Sequence, residues 1–145
     1  MSEISCRILA VDDEPEVLMA LKRIFRRDYE TFTFDDPAQA IEFLNTTRVH
    51  LVISDMRMPN ITGAKVLAAT KQIQPKAKRI LLSGYSDMDS TIEAINQGGI
   101  HAYITKPWDN DRIKEVVEDS VQAVILEAKN EQLSKQLIQK NKALE

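Results

Sequence analysis

With one cysteine in 145 residues, this chain can form no internal disulfide. That excludes the disulfide-stapled secreted scaffolds and leaves an apolar core to hold the fold. Cys6 opens the first apolar run and reads as a small buried hydrophobe. No apolar stretch approaches the roughly 20 residues that a membrane-spanning helix needs. Positive charge is not in excess: the net charge of −3 gives no electrostatic ground for direct nucleic-acid binding. Met1-Ser2-Glu3-Ile4-Ser5 lacks the basic-then-apolar order of a secretory signal, so a cytoplasmic setting away from membranes is expected. Glycine and proline are scarce, at four and five residues, and none of them falls between Asp109 and Glu145. That last segment therefore offers about ten turns of uninterrupted helix-forming sequence.

What the chain does have is a fivefold alternation of short apolar runs with helical patterns. The runs lie at about 6–11, 29–34, 50–54, 78–83 and 101–105. Most are apolar throughout, which predicts strands buried on both faces and hence a parallel sheet. The exception is Tyr29-Glu30-Thr31-Phe32-Thr33-Phe34, whose alternation of aromatic and polar residues suits a strand nearer the sheet edge. Between the runs, Val17, Leu18, Leu21, Ile24 and Phe25 form one helical stripe opened by Glu14-Pro15-Glu16. Ala40, Ile41, Phe43 and Leu44 form a second, capped by Asp36-Pro37, and Val66, Leu67 and Ile73 a third. A fourth helix is expected after Gly84-Tyr85-Ser86-Asp87, stopping at Gly98-Gly99. Short connections between such units imply right-handed crossovers, and so a doubly wound α/β fold.

Polar residues stand where each buried run stops. Asp12 and Asp13 follow the first, Asp55 the third, Ser83 the fourth and Lys106 the fifth. In an open parallel sheet, ligands collect beyond the carboxyl ends of the strands. Three carboxylates crowded there would repel, and an oxygen-loving divalent cation, Mg²⁺ above all, would relieve them. Lys106 supplies a point charge for a phosphate, and the Ser83 hydroxyl a hydrogen bond to a phosphoryl oxygen. Each residue alone has a plainer explanation: a helix cap for Asp12 or Asp13, a turn for Ser83, an exposed loop for Lys106. Only their joint occurrence points to chemistry.

In this order, Val11-Asp12-Asp13-Glu14, Asp55-Met56-Arg57-Met58-Pro59 with Gly63, Ser83-Gly84 and Lys106-Pro107 resemble the receiver domain of two-component response regulators, over about Cys6 to Leu126. The resemblance implies a flavodoxin-like five-stranded sheet of order 2-1-3-4-5. It implies that Asp55 is the phosphoacceptor, taking a phosphoryl group from a sensor histidine kinase or phosphotransfer protein. It further implies that Asp12, Asp13, Asp55 and the backbone carbonyl of Arg57 hold Mg²⁺, that Lys106 pairs with the phosphoryl group, and that the Lys106-Pro107 bond is cis. Ser83 and Tyr103 would be the switch pair, altering the surface of the fourth helix and fifth strand. Arg57 and Tyr85 would tune phosphoryl lifetime. Ser83 stands where threonine is commoner, and Thr62 where an acid often precedes Gly63; neither change is expected to cost chemistry. Trp108 resembles receivers joined to HD-GYP phosphodiesterases.

Such a chain is a phosphoacceptor, not an enzyme in its own right. Two other readings exist. A small aspartyl-nucleophile phosphatase of the haloacid-dehalogenase kind is disfavoured, because its second acid lies two residues after the nucleophile, whereas Asp12 and Asp13 are adjacent. An inactive receiver kept as a dimerisation platform is disfavoured by the intact acid set. The expected organisation is a receiver over 1–126 and a helical extension over 127–145, a coiled-coil linker to an output domain or a dimer helix. One heptad frame puts Val116, Ala123, Asn130, Leu137 and Leu144 at one seam position and Leu126 and Leu133 at the other, which Asp119 and Lys140 interrupt. A lone seam Asn such as Asn130 fixes register in two-stranded coils, so a homodimer through this helix is expected.

Overall fold

A computed structural model describes residues 6–84 and 99–144. Five strands, β1 (Arg7–Val11), β2 (Glu30–Phe34), β3 (Leu51–Asp55), β4 (Lys78–Ser83) and β5 (Ala102–Thr105), form one sheet. The order is β2-β1-β3-β4-β5, and every neighbouring pair is parallel. Four helices are described: α1 (Pro15–Phe25), α2 (Pro37–Thr46), α3 (Gly63–Ile73) and the C-terminal α4 (Asn110–Leu144). The helix expected between Tyr85 and Gly98 lies outside the described residues. Among the described residues, no helix is long and apolar enough to cross a membrane.

The apolar runs divide their side chains between two cores, as period-two alternation requires. On one face Ile8, Ala10, Leu51, Ile53, Ile80, Leu82 and Ile104 pack with Leu18, Leu21 and Phe25 of α1 and Ile113, Val117 and Val121 of α4. On the other, Leu9, Val11, Val52 and Leu81 pack with Ala40 and Leu44 of α2 and Ala64, Val66 and Leu67 of α3. Cys6 is buried and free in the first of these cores. β2 lies at the sheet edge, and its side chains are only partly covered, as its aromatic-polar alternation requires.

The helix starts follow local chemistry. Proline stands first in α1 and in α2, where its missing N–H has no carbonyl to lose. Asp36 accepts the Ala38 N–H at 2.9 Å to cap α2, and the Thr62 hydroxyl accepts from Lys65 N at 3.3 Å to cap α3. α1 has no side-chain cap from its own N-cap residue, Glu14; instead Asp12 Oδ1 accepts the Glu14 N–H at 2.9 Å.

α4 runs unbroken across position 126, so any boundary between body and extension falls inside a continuous helix. The structure corrects the heptad frame at its start. Val116 does not belong to a free seam: it is buried in the chain's own core beside Ile113 and Val117. A period of seven cannot distinguish a helix stripe that faces its own sheet from one that faces a partner.

Candidate functional site

The parallel register brings the strand ends to one edge. Val11 pairs with Ser54, Asp55 with Leu82 and Ser83 with Thr105, so the residues just beyond these positions share a crevice. Carboxylate oxygens of Asp12, Asp13 and Asp55 lie within 4.8 Å of one another there. Lys106 reaches across from beyond β5: its Nζ is 2.9 Å from Asp12 Oδ2 and 3.1 Å from Asp55 Oδ1, with Glu14 at the margin at 4.0 Å. The Lys106 N–H donates to the Ser83 carbonyl at 2.8 Å, which ties the lysine to the end of β4. The Lys106-Pro107 peptide is cis, as the resemblance implied.

Asp12 serves the start of α1 and the crevice at once. One oxygen accepts from Glu14 N, at the start of α1, and the other holds Lys106. Asp12 is fully buried and Asp55 nearly so, whereas Asp13 is exposed at the crevice mouth. Burial raises the Asp12 carboxyl above its ordinary range, against the opposing pull of Lys106. Burial, then the charge of Asp12, pushes Asp55 up to about 6. Burial alone would lower the Lys106 ammonium, but hydrogen bonds and charge from Asp12 and Asp55 outweigh it and raise the group. The cluster thus carries more negative charge than one ammonium neutralises. An all-oxygen donor set of this kind fits a hard divalent cation.

The loop after β3 is held close to the acids. Gly63 N donates to the Met56 carbonyl at 2.9 Å, and a Cβ added at Gly63 would lie 2.1 Å from the Asp55 backbone oxygen. Only glycine allows α3 to begin against the strand that carries Asp55. Asp13, Met56, Arg57, Met58, Pro59 and Thr62 border an open hollow of about 370 Å³ beside the acids. Arg57 is exposed on its rim. Ser83 is buried at the end of β4, and Tyr103 is 54% exposed on β5, on the opposite face from the buried Ile104. Tyr85 lies outside the described residues. The double duty of Asp12 escaped sequence reasoning, although Asp-x-Glu-Pro ahead of an apolar stripe carried that signal. So did the Thr62 cap, legible in Thr-Gly-Ala-Lys.

Residues 8–118 match the model of the response regulator receiver domain. The chain belongs to that family. It is 36% identical over 124 residues to the hydrogenase transcriptional regulatory protein HoxA of Bradyrhizobium diazoefficiens, covering 86% of this chain and 26% of that one. It is 29% identical over 113 residues to sporulation initiation phosphotransferase F of Bacillus subtilis, covering 77% of this chain and 90% of the other. Among solved structures, the signal receiver domain of an HD domain-containing protein from Pseudomonas fluorescens Pf-5 is similar with a TM-score of 0.84 and 30% identity, over 89% of this chain and 96% of that one. The chain spans about a quarter of the length of the transcriptional regulators it matches first.

Proposed function

We propose that the chain is a phosphoacceptor switch in which Asp55 receives a phosphoryl group from a phosphohistidine on a sensor kinase or phosphotransfer protein. The observation that carries this reading is Lys106 Nζ lying between Asp12 and Asp55 in a cluster with surplus negative charge. An Asp55 carboxylate oxygen attacks phosphorus as the phosphorus–nitrogen bond of the donor breaks. An acyl phosphate forms on Asp55, and the electron pair returns to the imidazole. The Lys106 ammonium, released in part from the carboxylates, pairs with the incoming phosphoryl oxygens. Asp12, Asp13, Asp55 and the Arg57 carbonyl would hold Mg²⁺, which supplies charge neutralisation and in-line alignment when bound. The Ser83 hydroxyl donates to a phosphoryl oxygen, and Tyr103 turns inward over the space that Ser83 leaves. The surface of β5 then changes, as bistable packing allows. Arg57 and Tyr85 set how readily water reaches the acyl phosphate.

On this reading, residues 1–126 are the receiver, and 127–145 extend it toward an output domain or a dimer partner through α4. The setting is cytoplasmic, and the chain itself does not contact nucleic acid. Its relatives include a transcriptional regulator and the receiver of an HD domain-containing protein, so the family admits more than one output. The test is incorporation of label from a small acyl phosphate with Mg²⁺. The native chain should take up at most one phosphoryl group, and Asp55→Asn none. Continued turnover of a phosphomonoester would instead favour a phosphatase, and no uptake by the native chain an inactive receiver.

A further inference from the structure

The sole tryptophan of the chain, Trp108, stands two residues after Lys106, in the loop 106–109 that joins β5 to α4. It is half-buried and packs against the core that the sheet shares with α1 and α4. Its indole Nε1–H donates to Oδ1 of Asn110, the first residue of α4, at 3.1 Å. Asp109 caps that helix: its side chain accepts the Asp111 N–H at 3.0 Å and its carbonyl the Ile113 N–H at 3.0 Å. With Asp109 as the cap, Trp108 and Ile113 hold the two positions of a hydrophobic staple, the pair that fixes the angle at which a chain enters a helix. Ile113 is fully buried in the same core.

The loop has a second fixed point at its other end, where the Lys106 N–H donates to the Ser83 carbonyl at 2.8 Å. Between the two, Pro107 is exposed and brings no N–H of its own. The Lys106 backbone is thus held on one side by β4 and on the other by the Trp108 ring. Its side chain has little latitude, because Nζ lies 2.9 Å from Asp12 and 3.1 Å from Asp55 at once. A flexible four-carbon stem keeps both contacts only if its starting point is fixed. A small tilt of the loop breaks one of them, and Glu14, exposed and 4.0 Å away, offers the displaced ammonium another partner.

Resting on the acceptor reading for what Lys106 does, we propose that Trp108 is a positioning residue for phosphoryl transfer: its ring, packed against the shared core and tied to Asn110, sets the Lys106 backbone so that Nζ spans Asp12 and Asp55. The ring does no chemistry and acts through the lysine. Packing carries more of the effect than the indole hydrogen bond, which lies at the surface. Phenylalanine, which keeps an aromatic wedge but no N–H, should therefore serve far better than alanine.

The test is a double-mutant cycle on the full chain. Trp108→Ala should slow label uptake from a small acyl phosphate at least tenfold at saturating Mg²⁺, with Mg²⁺ affinity by calorimetry within about twofold of native. Trp108→Phe should bring uptake back to within about threefold. In a Lys106→Ala background, Trp108→Ala should slow uptake no further. Unslowed uptake in the single variant, or equal slowing in both backgrounds, overturns the proposal, the second because the ring would then act on the fold and not through the lysine. A readout free of phosphoryl transfer is the rate of reductive methylation at Lys106 Nζ, followed by peptide mass spectrometry. Trp108→Ala should raise it at least fivefold while Lys78, at the start of β4, is unchanged. If the alanine variant does not fold, Trp108→Leu, which keeps apolar bulk but not the ring, is put through the same comparisons. A Lys106 as protected in the variant as in the native chain overturns the proposal whatever uptake does. A native chain that takes up no label, with Lys106 exposed by the variant, overturns the acceptor reading and leaves the placement of the lysine by Trp108 standing.

Discussion

Gly63 shows how a single hydrogen in place of a side chain can govern a site. The residue bears no chemistry, yet a Cβ there would overlap the backbone oxygen of Asp55. Gly63→Ala must push α3 away from β3 and move the loop that follows Asp55, at a cost of about 1–3 kcal/mol. We expect a lower midpoint in urea together with slowed phosphoryl uptake; a native midpoint would show that the loop yields freely. Asp55 itself behaves in the opposite sense. It is buried beside Asp12, so without divalent cations its charge strains the fold. Asp55→Asn should therefore raise the melting temperature in chelator, and Mg²⁺ should narrow the gap by stabilising the native chain alone. An equal Mg²⁺ effect on both chains would place the metal elsewhere. The acids, Ser83 and Lys106 were legible in sequence because each interrupts an apolar run. The steric reason for Gly63 was not, since the atom it avoids lies eight residues away on another element.

Strand starts at the opposite edge carry a second pattern. His50 stands before β3 and His101 before β5. Each Nδ1 accepts a backbone N–H from the neighbouring strand, Arg7 N to His50 and Arg79 N to His101, both at 3.1 Å. Each histidine's own N–H answers by donating to the carbonyl of the same arginine, at 2.9 and 2.8 Å. An acceptor nitrogen must be unprotonated. Burial lowers both imidazoles, helped by Arg7 and Arg48 at His50 and by Arg79 and Lys78 at His101, where Glu127 opposes. The unfolded chain, with ordinary histidines near 6.5, then binds more protons than the folded one as pH falls below that value. Stability contributed by the clips is full above pH 6.5 and is lost on going down toward the depressed folded values. His50→Asn with His101→Asn keeps an acceptor oxygen but removes the titration. Melting temperatures from pH 7.5 to 5 should fall less steeply in this variant than in the native chain. Parallel slopes would mean that the two rings do not couple to folding. Arg79 reinforces the same edge: its buried guanidinium donates to the carbonyls of Pro75, Ala77 and Gly99. At this scale the five strands were readable from runs of apolar residues. The histidine clips were not, because a ring that substitutes for a ladder partner leaves no periodic trace.

At the scale of the molecule, the acid cluster and the ion pairs of α4 with the body, Lys78–Glu127 and Lys76–Glu131, sit at opposite ends of the sheet, and β4 joins them. Lys78 opens that strand at the ion pairs and Ser83 closes it at the site. The order of the sheet followed from five run-helix units and the family pattern, but the facing of the C-terminal helix did not. It depends on whether a stripe meets its own sheet, and Val116 and Leu126 answer that differently within a single heptad frame. Among the described side chains of α4 the last buried apolar residue is Val121, so residues 128–137 add almost nothing to the chain's own core. Truncation after Glu127 removes Leu133, Leu137 and the Lys76–Glu131 pair but leaves both cores whole. Losing one exposed pair costs about 0–1 kcal/mol, so the melting temperature of the dilute chain should change by only a few degrees. Its mass by light scattering should be that of a monomer, and label uptake at Asp55 should persist. A dimer of unchanged mass would assign self-association to the body, and a collapse in stability would mean that the extension completes the fold rather than carrying its output.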